Sequence, residues 1–235
     1  NPWPGRWLHV RTTHLLSHLA AFKATRIVCV SRGLRDKIWW RRSGVDVLPT
    51  GVDENVFRPV NISAARRHLG WSSAEKVVLF NGSNPAVKRL DRAIASVQLA
   101  EEYLGEPIRL EILTGKTDPD RVPLLMSAAD CLLSVSDYEG SPTVVQEAMA
   151  CELPVVSVDV GDVREMLAQV NPTWIVDKNP EKVGAALAEC LRMERGTRSN
   201  GRELISRCST RSIAARIQQI LEEMTGPCEA LQVGV

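Results

Sequence analysis

The sequence predicts an α/β protein in which helices wind both faces of a parallel sheet. Two observations carry that expectation. Short β-branched runs alternate with longer stretches of helical period along the chain. Glycine-bearing loops also follow several strand candidates and lead toward helices, at Asn81 to Pro85, Thr114 to Lys116, Ser136 to Ser141 and Asp159 to Asp162. In order, the expected strands are Arg26 to Val30, Val45 to Leu48, Lys76 to Phe80, Ile108 to Leu113, Cys131 to Val135, Pro154 to Val158 and Thr173 to Val176. Among the helices, Lys88 to Leu104 repeats Leu90, Ile94, Val97 and Ala100 on one face, and Ser209 to Met224 repeats Ile213, Ile217, Ile220 and Leu221.

Composition bounds the function. The chain has 235 residues, 44% hydrophobic and 24% charged, with 29 basic against 28 acidic side chains. A net charge of +1 supplies no broad field for a nucleic-acid backbone, so no nucleic-acid partner is expected. Apolar runs fall far short of the roughly 18 to 20 residues that span a bilayer. Six cysteines, Cys29, Cys131, Cys151, Cys190, Cys208 and Cys228, show no C-x-x-C spacing and several lie in apolar runs. They read as buried thiols in a reducing compartment, which makes cytoplasm the expected location. The opening Asn1 to Gly5 lacks the basic start and apolar stretch of a secretion signal, and the chain reads as a fragment.

Periodicity breaks at Leu48 to Asn55, where Pro49 and Gly51 interrupt it. The expected organisation is residues 1–48 as the end of a preceding unit, 49–60 as linker, 61–208 as the sheet domain, and 209–235 as a C-terminal helix with a tail.

Ligands of an open parallel sheet bind beyond the carboxyl ends of its strands. There, Gly140 and Ser141 precede Pro142, a residue favoured in the first turn of a helix, and Ser141 is a good N-cap. A helix over Pro142 to Ala150 would bury Val144, Val145, Ala148 and Met149, with Thr143 and Glu147 on another side. Its free N–H groups and positive dipole end would favour a diphosphate. Glu139 at the strand's mouth and Glu147 two turns along would flank it with acceptors, an arrangement that suits a nucleotide sugar. The plainer account is that such glutamates complement the helix dipole.

The run Glu139-Gly-Ser-Pro-Thr-Val-Val-Gln-Glu147-Ala-Met-Ala-Cys-Glu-Leu-Pro-Val-Val156 resembles the Glu-x7-Glu signature of glycosyltransferase family 4, the retaining GT-B enzymes. Pro49-Thr50-Gly51-Val52-Asp53 is similar to the family's interdomain motif, and Ala128-Ala129-Asp130 and Gly161 with Glu165 add to the match, which covers roughly Ile27 to Asp177. The resemblance implies the Rossmann-like, donor-binding C-terminal half of a GT-B fold, with residues 1–48 left from the N-terminal acceptor domain. It implies that Glu147 holds the ribose, that Glu139 contacts the donor sugar, and that Gly140, Ser141, Pro142 and Thr143 meet the diphosphate. Lys88 matches the basic residue facing the phosphates, beside the Gly82–Ser83 loop. The implied reaction moves a hexose from a UDP- or GDP-sugar to a saccharide or lipid-linked acceptor, with no metal and no other cofactor, in polysaccharide biosynthesis. Lys88 and Glu139 are the expected catalytic residues. Turnover would need the N-terminal domain as partner. A non-catalytic nucleotide-sugar-binding module and a GT-B isomerase such as a sugar epimerase are the alternatives.

The chain departs from the family at three places. Ser83 stands where an Arg is usual, with Arg89 as a substitute. Asp162 and Glu152 each stand where a Gly is usual. Other motifs have simpler readings. Asp162-Val-Arg-Glu165 also fits a capping box, Lys88 also fits a solvated basic face with Arg89 and Arg92, and Asp118-Pro-Asp120 is a turn and N-cap more simply than a metal site. His14 and His18, with His9 upstream, have the spacing of a zinc pair, yet no third ligand follows at helical spacing. Lys37-Ile-Trp-Trp-Arg-Arg42 has the chemistry of a peripheral membrane contact, against the alternative that its Trp residues pack on the N-terminal half.

Overall fold

The computed structural model describes residues 4–38, 40 and 44–225. It opens with α1 (Pro4–Lys23), β1 (Ile27–Cys29), α2 (Arg32–Asp36) and β2 (Val45–Val47). There follow α3 (Ile62–Leu69), β3 (Lys76–Asn81), α4 (Pro85–Lys88), α5 (Leu90–Leu104) and β4 (Ile108–Leu113). Then come α6 (Val122–Ala128), β5 (Cys131–Ser134), α7 (Thr143–Ala150), β6 (Val155–Val158), α8 (Val163–Met166) and β7 (Thr173–Val176). The chain closes with α9 (Pro180–Arg192), α10 (Gly201–Leu204) and α11 (Thr210–Thr225). Among the described residues no helix is long and apolar enough to cross a membrane.

The architecture is α/β, as the alternation of runs predicts. Five parallel strands lie in the order β4-β3-β5-β6-β7, and β1 pairs with β2 in a separate two-stranded parallel sheet. The central strands are apolar at successive positions because helices cover both faces: Val77, Val78, Leu79 and Phe80 on β3 and Leu132 and Leu133 on β5 are almost wholly buried. Val52 in the expected linker is buried too, held by backbone hydrogen bonds to Cys208 and Thr210 where α11 begins. The linker therefore lies along the start of the last helix.

Three local expectations need correction. The helix expected from Lys88 to Leu104 begins at Leu90, because Arg89 takes a left-handed backbone (φ 61°, ψ 59°) that ends α4 at Lys88 and starts α5. Pro142 is the N-cap of α7 and lies outside its first turn, with no side-chain capping bond. Ser141 is drawn elsewhere, its hydroxyl accepting from Gln146 Nε2 at 3.1 Å. Nor does Asp162-Val-Arg-Glu165 form a capping box: Asp162 makes no side-chain capping bond, and Glu165 is ion-paired with Arg32 at 2.6 Å. A partner from another segment competes successfully with the local cap.

At the other end of α7 the replacement of Gly by Glu152 has a backbone consequence. Leu153 N–H donates to Ala148 and Glu152 N–H to Met149, the paired bonds of a Schellman motif. Glu152 sits at its left-handed position with φ 59°, where glycine carries no Cβ penalty.

The first helix is poorly covered, with Leu15, Leu16, Leu19 and Phe22 all more than half exposed. Trp40 contacts it, its indole N–H donating to His18 Nδ1 at 3.2 Å with Phe22 beside the ring. That bond engages His18 Nδ1. The side chains of His9 and His14, together with Trp39, Arg41, Arg42 and Cys228, lie outside the described residues. Asp118 caps the turn that follows it, its carboxylate accepting from Asp120 N–H at 3.1 Å, in keeping with the simpler reading of Asp-Pro-Asp.

Candidate functional site

The chain leaves β3 for β4 on one side, then crosses back to β5 on the other. Between β3 and β5 the winding reverses, and a crevice opens beyond their carboxyl ends. The loops after these two strands meet there. Lys88, at the end of α4, donates from Nζ to Glu139 Oε1 at 2.6 Å, and both side chains are largely sheltered. A lysine and a carboxylate 51 residues apart in sequence thus form a charge-assisted pair at the mouth of the sheet. The reading of Lys88 as a solvated residue does not hold.

Glycine is needed where the loops converge. Gly161, after β6, has φ 62°, and a Cβ there would lie 2.5 Å from the carbonyl oxygen of Gly140. A Cβ on Gly140 would lie 2.9 Å from Val30 Cγ2. The β5–α7 loop is therefore sandwiched between the β6–α8 loop and the corner between β1 and α2. Gly82 is buried, its N–H donating to Leu113 at 2.7 Å, and Ser83 beside it is exposed. Thr114 to Lys116 closes on itself through bonds to the hydroxyls of Thr114 and Thr117.

On α7, Val144, Val145, Ala148 and Met149 form the buried stripe that periodicity predicts, while Thr143 is exposed at the first turn. Glu147 is mostly buried, and burial pushes its carboxyl up to about 7. Gln146 was not foreseen: it is fully buried, bonded to Ser141, and its Oε1 has no partner. Burial also raises the Asp162 carboxyl, against a hydrogen bond from Ser141 that lowers it. A cleft of about 290 Å³ separates the β1–α2 corner from the β6–α8 loop, lined by Ser31, Arg32, Asp162, Glu165 and Arg207 among others.

Arg89 does not project freely toward the crevice. Its guanidinium donates to Asp91 at 2.9 and 2.7 Å and to Asp137 at 3.2 and 3.0 Å. Asp137 also accepts from Arg92, a nearly buried residue, at 2.9 Å. Arg92 and then Arg89 hold the Asp137 carboxyl below the usual range. No motif signals this cluster, because Asp137 follows β5 while Arg89 and Arg92 follow β3, and only the fold brings them together.

Residues 112–209 match the family model for glycosyl transferases group 1. The chain is 30% identical over 188 residues to D-inositol 3-phosphate glycosyltransferase of Segniliparus rotundus, an alignment covering 67% of this chain and 41% of the relative. It is 28% identical to a putative teichuronic acid biosynthesis glycosyltransferase, TuaC, of Bacillus subtilis, over 73% of this chain and 47% of that protein. The chain thus spans under half the length of these relatives. In fold it is similar to Anabaena HepE solved with UDP and glucose, with a TM-score of 0.72 at 21% identity, covering 89% of this chain and 66% of that one. Sucrose-phosphate synthase of Thermosynechococcus elongatus superimposes with a TM-score of 0.71 at 20% identity, covering 91% and 62% respectively. Residues 112–209 are thus similar to the glycosyl transferases group 1, on a layout of sheet and helices shared with the GT-B fold.

Proposed function

We propose that this chain is the nucleotide-sugar-binding part of a retaining glycosyltransferase, which moves a hexose from a UDP- or GDP-sugar to a saccharide or lipid-linked acceptor. The observation that carries the reading is the Lys88–Glu139 pair at the reversal point of the sheet, beside the N-terminus of α7. Glycosyltransferase relatives and a similar fold solved with UDP and glucose support it.

In this reading the donor's diphosphate lies across Gly140 to Thr143, along the free N–H groups of α7 and its positive dipole end. Lys88 turns from Glu139 to the phosphates, and its charge together with the helix end stabilises the negative charge that develops as the nucleoside diphosphate departs. Glu139, released from Lys88, accepts hydroxyls of the donor sugar and orients it. Glu147 accepts the ribose hydroxyls in its ionised form. No metal ion enters, because cationic and dipolar groups already face the phosphates. Catalysis belongs to the protein that also supplies the acceptor side. Where that acceptor is lipid-linked, a peripheral membrane contact would follow, and flotation of the protein with anionic vesicles tests it.

The deciding experiment is calorimetry of residues 1–235 with UDP, GDP and ADP, with and without EDTA. One nucleoside diphosphate is expected to bind, unaffected by EDTA, and its base names the donor. Binding of none of the three would overturn the reading.

A further inference from the structure

Asp137 draws together more of the crevice than any residue of the motif itself. Its carboxylate accepts from Arg89 and Arg92. Its N–H donates to the carbonyl of Val87, one residue before Lys88, at 3.0 Å. Its own carbonyl accepts from Lys178 Nζ, beyond β7, at 2.8 Å. Arg92 is anchored in turn by donating to the Val135 carbonyl at 2.6 Å. One residue of the β5 loop thus holds α4, α5 and the segment after β7.

The strain at Arg89 gives this network a task. A non-glycine residue at φ 61° costs about 1–2 kcal/mol, and that turn is what ends α4 and aims Lys88 back across the crevice. The Arg89 side chain is clamped from both sides, by Asp91 on α5 and by Asp137 on the facing loop. Lys88 and Arg89 are adjacent, and so nearly are Asp137 and Glu139. The Arg89–Asp137 pair therefore sets the separation of the two chain segments that carry the Lys88–Glu139 pair.

We propose that Asp137 is a positioning residue: with Arg89 and Arg92 it locks the α4–α5 turn, so that Lys88 is held where a diphosphate would lie. It touches no substrate and acts through Lys88. This rests on the nucleotide-binding reading above. The signature is a selective loss of the affinity contributed by the second phosphate, while recognition of the nucleoside through Glu147 is left intact.

The test compares a nucleoside diphosphate with its monophosphate, using whichever of UDP, GDP and ADP binds the chain. Asp137→Asn keeps the shape and removes the charge. Its diphosphate-to-monophosphate affinity ratio is expected to fall about tenfold, with monophosphate binding changed less than twofold, and amide exchange over residues 83–90 is expected to speed up. Arg89→Gly accepts the left-handed turn without strain but lacks the clamp, and should lower the same ratio even if Asp137→Asn folds poorly. An unchanged ratio in both variants, with Lys88→Ala still losing it, would overturn the positioning role and leave the nucleotide reading standing. Failure of the unaltered chain to bind any nucleotide would overturn both.

Discussion

Glu147 shows how one residue can set opposing demands on folding and on ligand binding. In the folded chain burial raises its carboxyl to about 7, against an ordinary value of 4.5. A raised carboxyl favours the neutral form, so the stability it contributes is fully present below pH 4.5 and is lost as pH rises through 7. Glu147→Gln should therefore match the parent near pH 4 and exceed it by up to about 3 kcal/mol at pH 8 in denaturant unfolding. Equal stability of the two proteins at pH 8 would contradict the buried placement. Ribose hydroxyls, by contrast, need the ionised acceptor, so nucleoside diphosphate binding should tighten from pH 6 to pH 8. Glu147→Ala should weaken it by about 1–3 kcal/mol at pH 8, the scale of charge-assisted hydrogen bonds. An unchanged dissociation constant would remove its ribose role.

Glutamates 139 and 147 can be singled out from the sequence because both lie in one contiguous run. Asp137 lies two residues before that run and is silent in the sequence, since its meaning depends on Arg89 and Arg92, which approach from another strand's connection. Ser141 was legible as a loop residue but not in its role, because the choice between capping α7 and pairing with Gln146 is made by the packing of the helix face.

At the scale of elements, α7 is held at both ends by backbone geometry rather than by side-chain caps. Its C-terminal Schellman turn places Glu152 in the left-handed region, which costs about 1–2 kcal/mol for a residue with a Cβ. Glu152→Gly relieves that and loses about 0.5–1 kcal/mol to the freer unfolded chain. Unfolding experiments should find the variant more stable by roughly 0.5 kcal/mol; a loss of stability would mean that the Glu152 side chain contributes more than its backbone costs. The loop before α7 is less tolerant. Gly161→Ala adds a Cβ 2.5 Å from the Gly140 carbonyl oxygen at φ 62°, and should destabilise by about 2 kcal/mol or more. Because the Gly140 backbone must move to admit it, nucleotide affinity should fall as well. The start of the expected helix at Leu90 rather than Lys88 belongs to this scale too. The apolar repeat opens at Leu90, and the left-handed turn before it carries an Arg89 side chain clamped by Asp91 and Asp137.

Across the whole molecule, the five-stranded sheet has a complete core, whereas α1 presents Leu15, Leu19 and Phe22 outward at helical spacing, each more than half exposed. Exposed rows of this kind favour association. The chain at high concentration should scatter more light than a Leu19→Glu, Phe22→Glu variant, and each of these surface changes should shift stability by no more than about 0.5 kcal/mol. Equal scattering would mean that the face is already covered. The β1–α2 corner, in turn, does not stand apart from the sheet: Val30 and Leu34 rest on Gly140, and Arg32 reaches Glu165.

What the sequence determined by itself is whatever is written in contiguous residues. β-branched runs and helical periods set the α/β class and the strands, and the glycine and proline before α7 set the turn into that helix, because local backbone preferences and side-chain spacing act over a few residues. The tertiary structure decided the contacts between segments far apart in the chain. It joined Lys88 to Glu139, tied Arg89 to Asp137, diverted Glu165 to Arg32 and buried Gln146. These depend on which strands become neighbours when the winding reverses, and a charged side chain takes the partner that packing brings within reach.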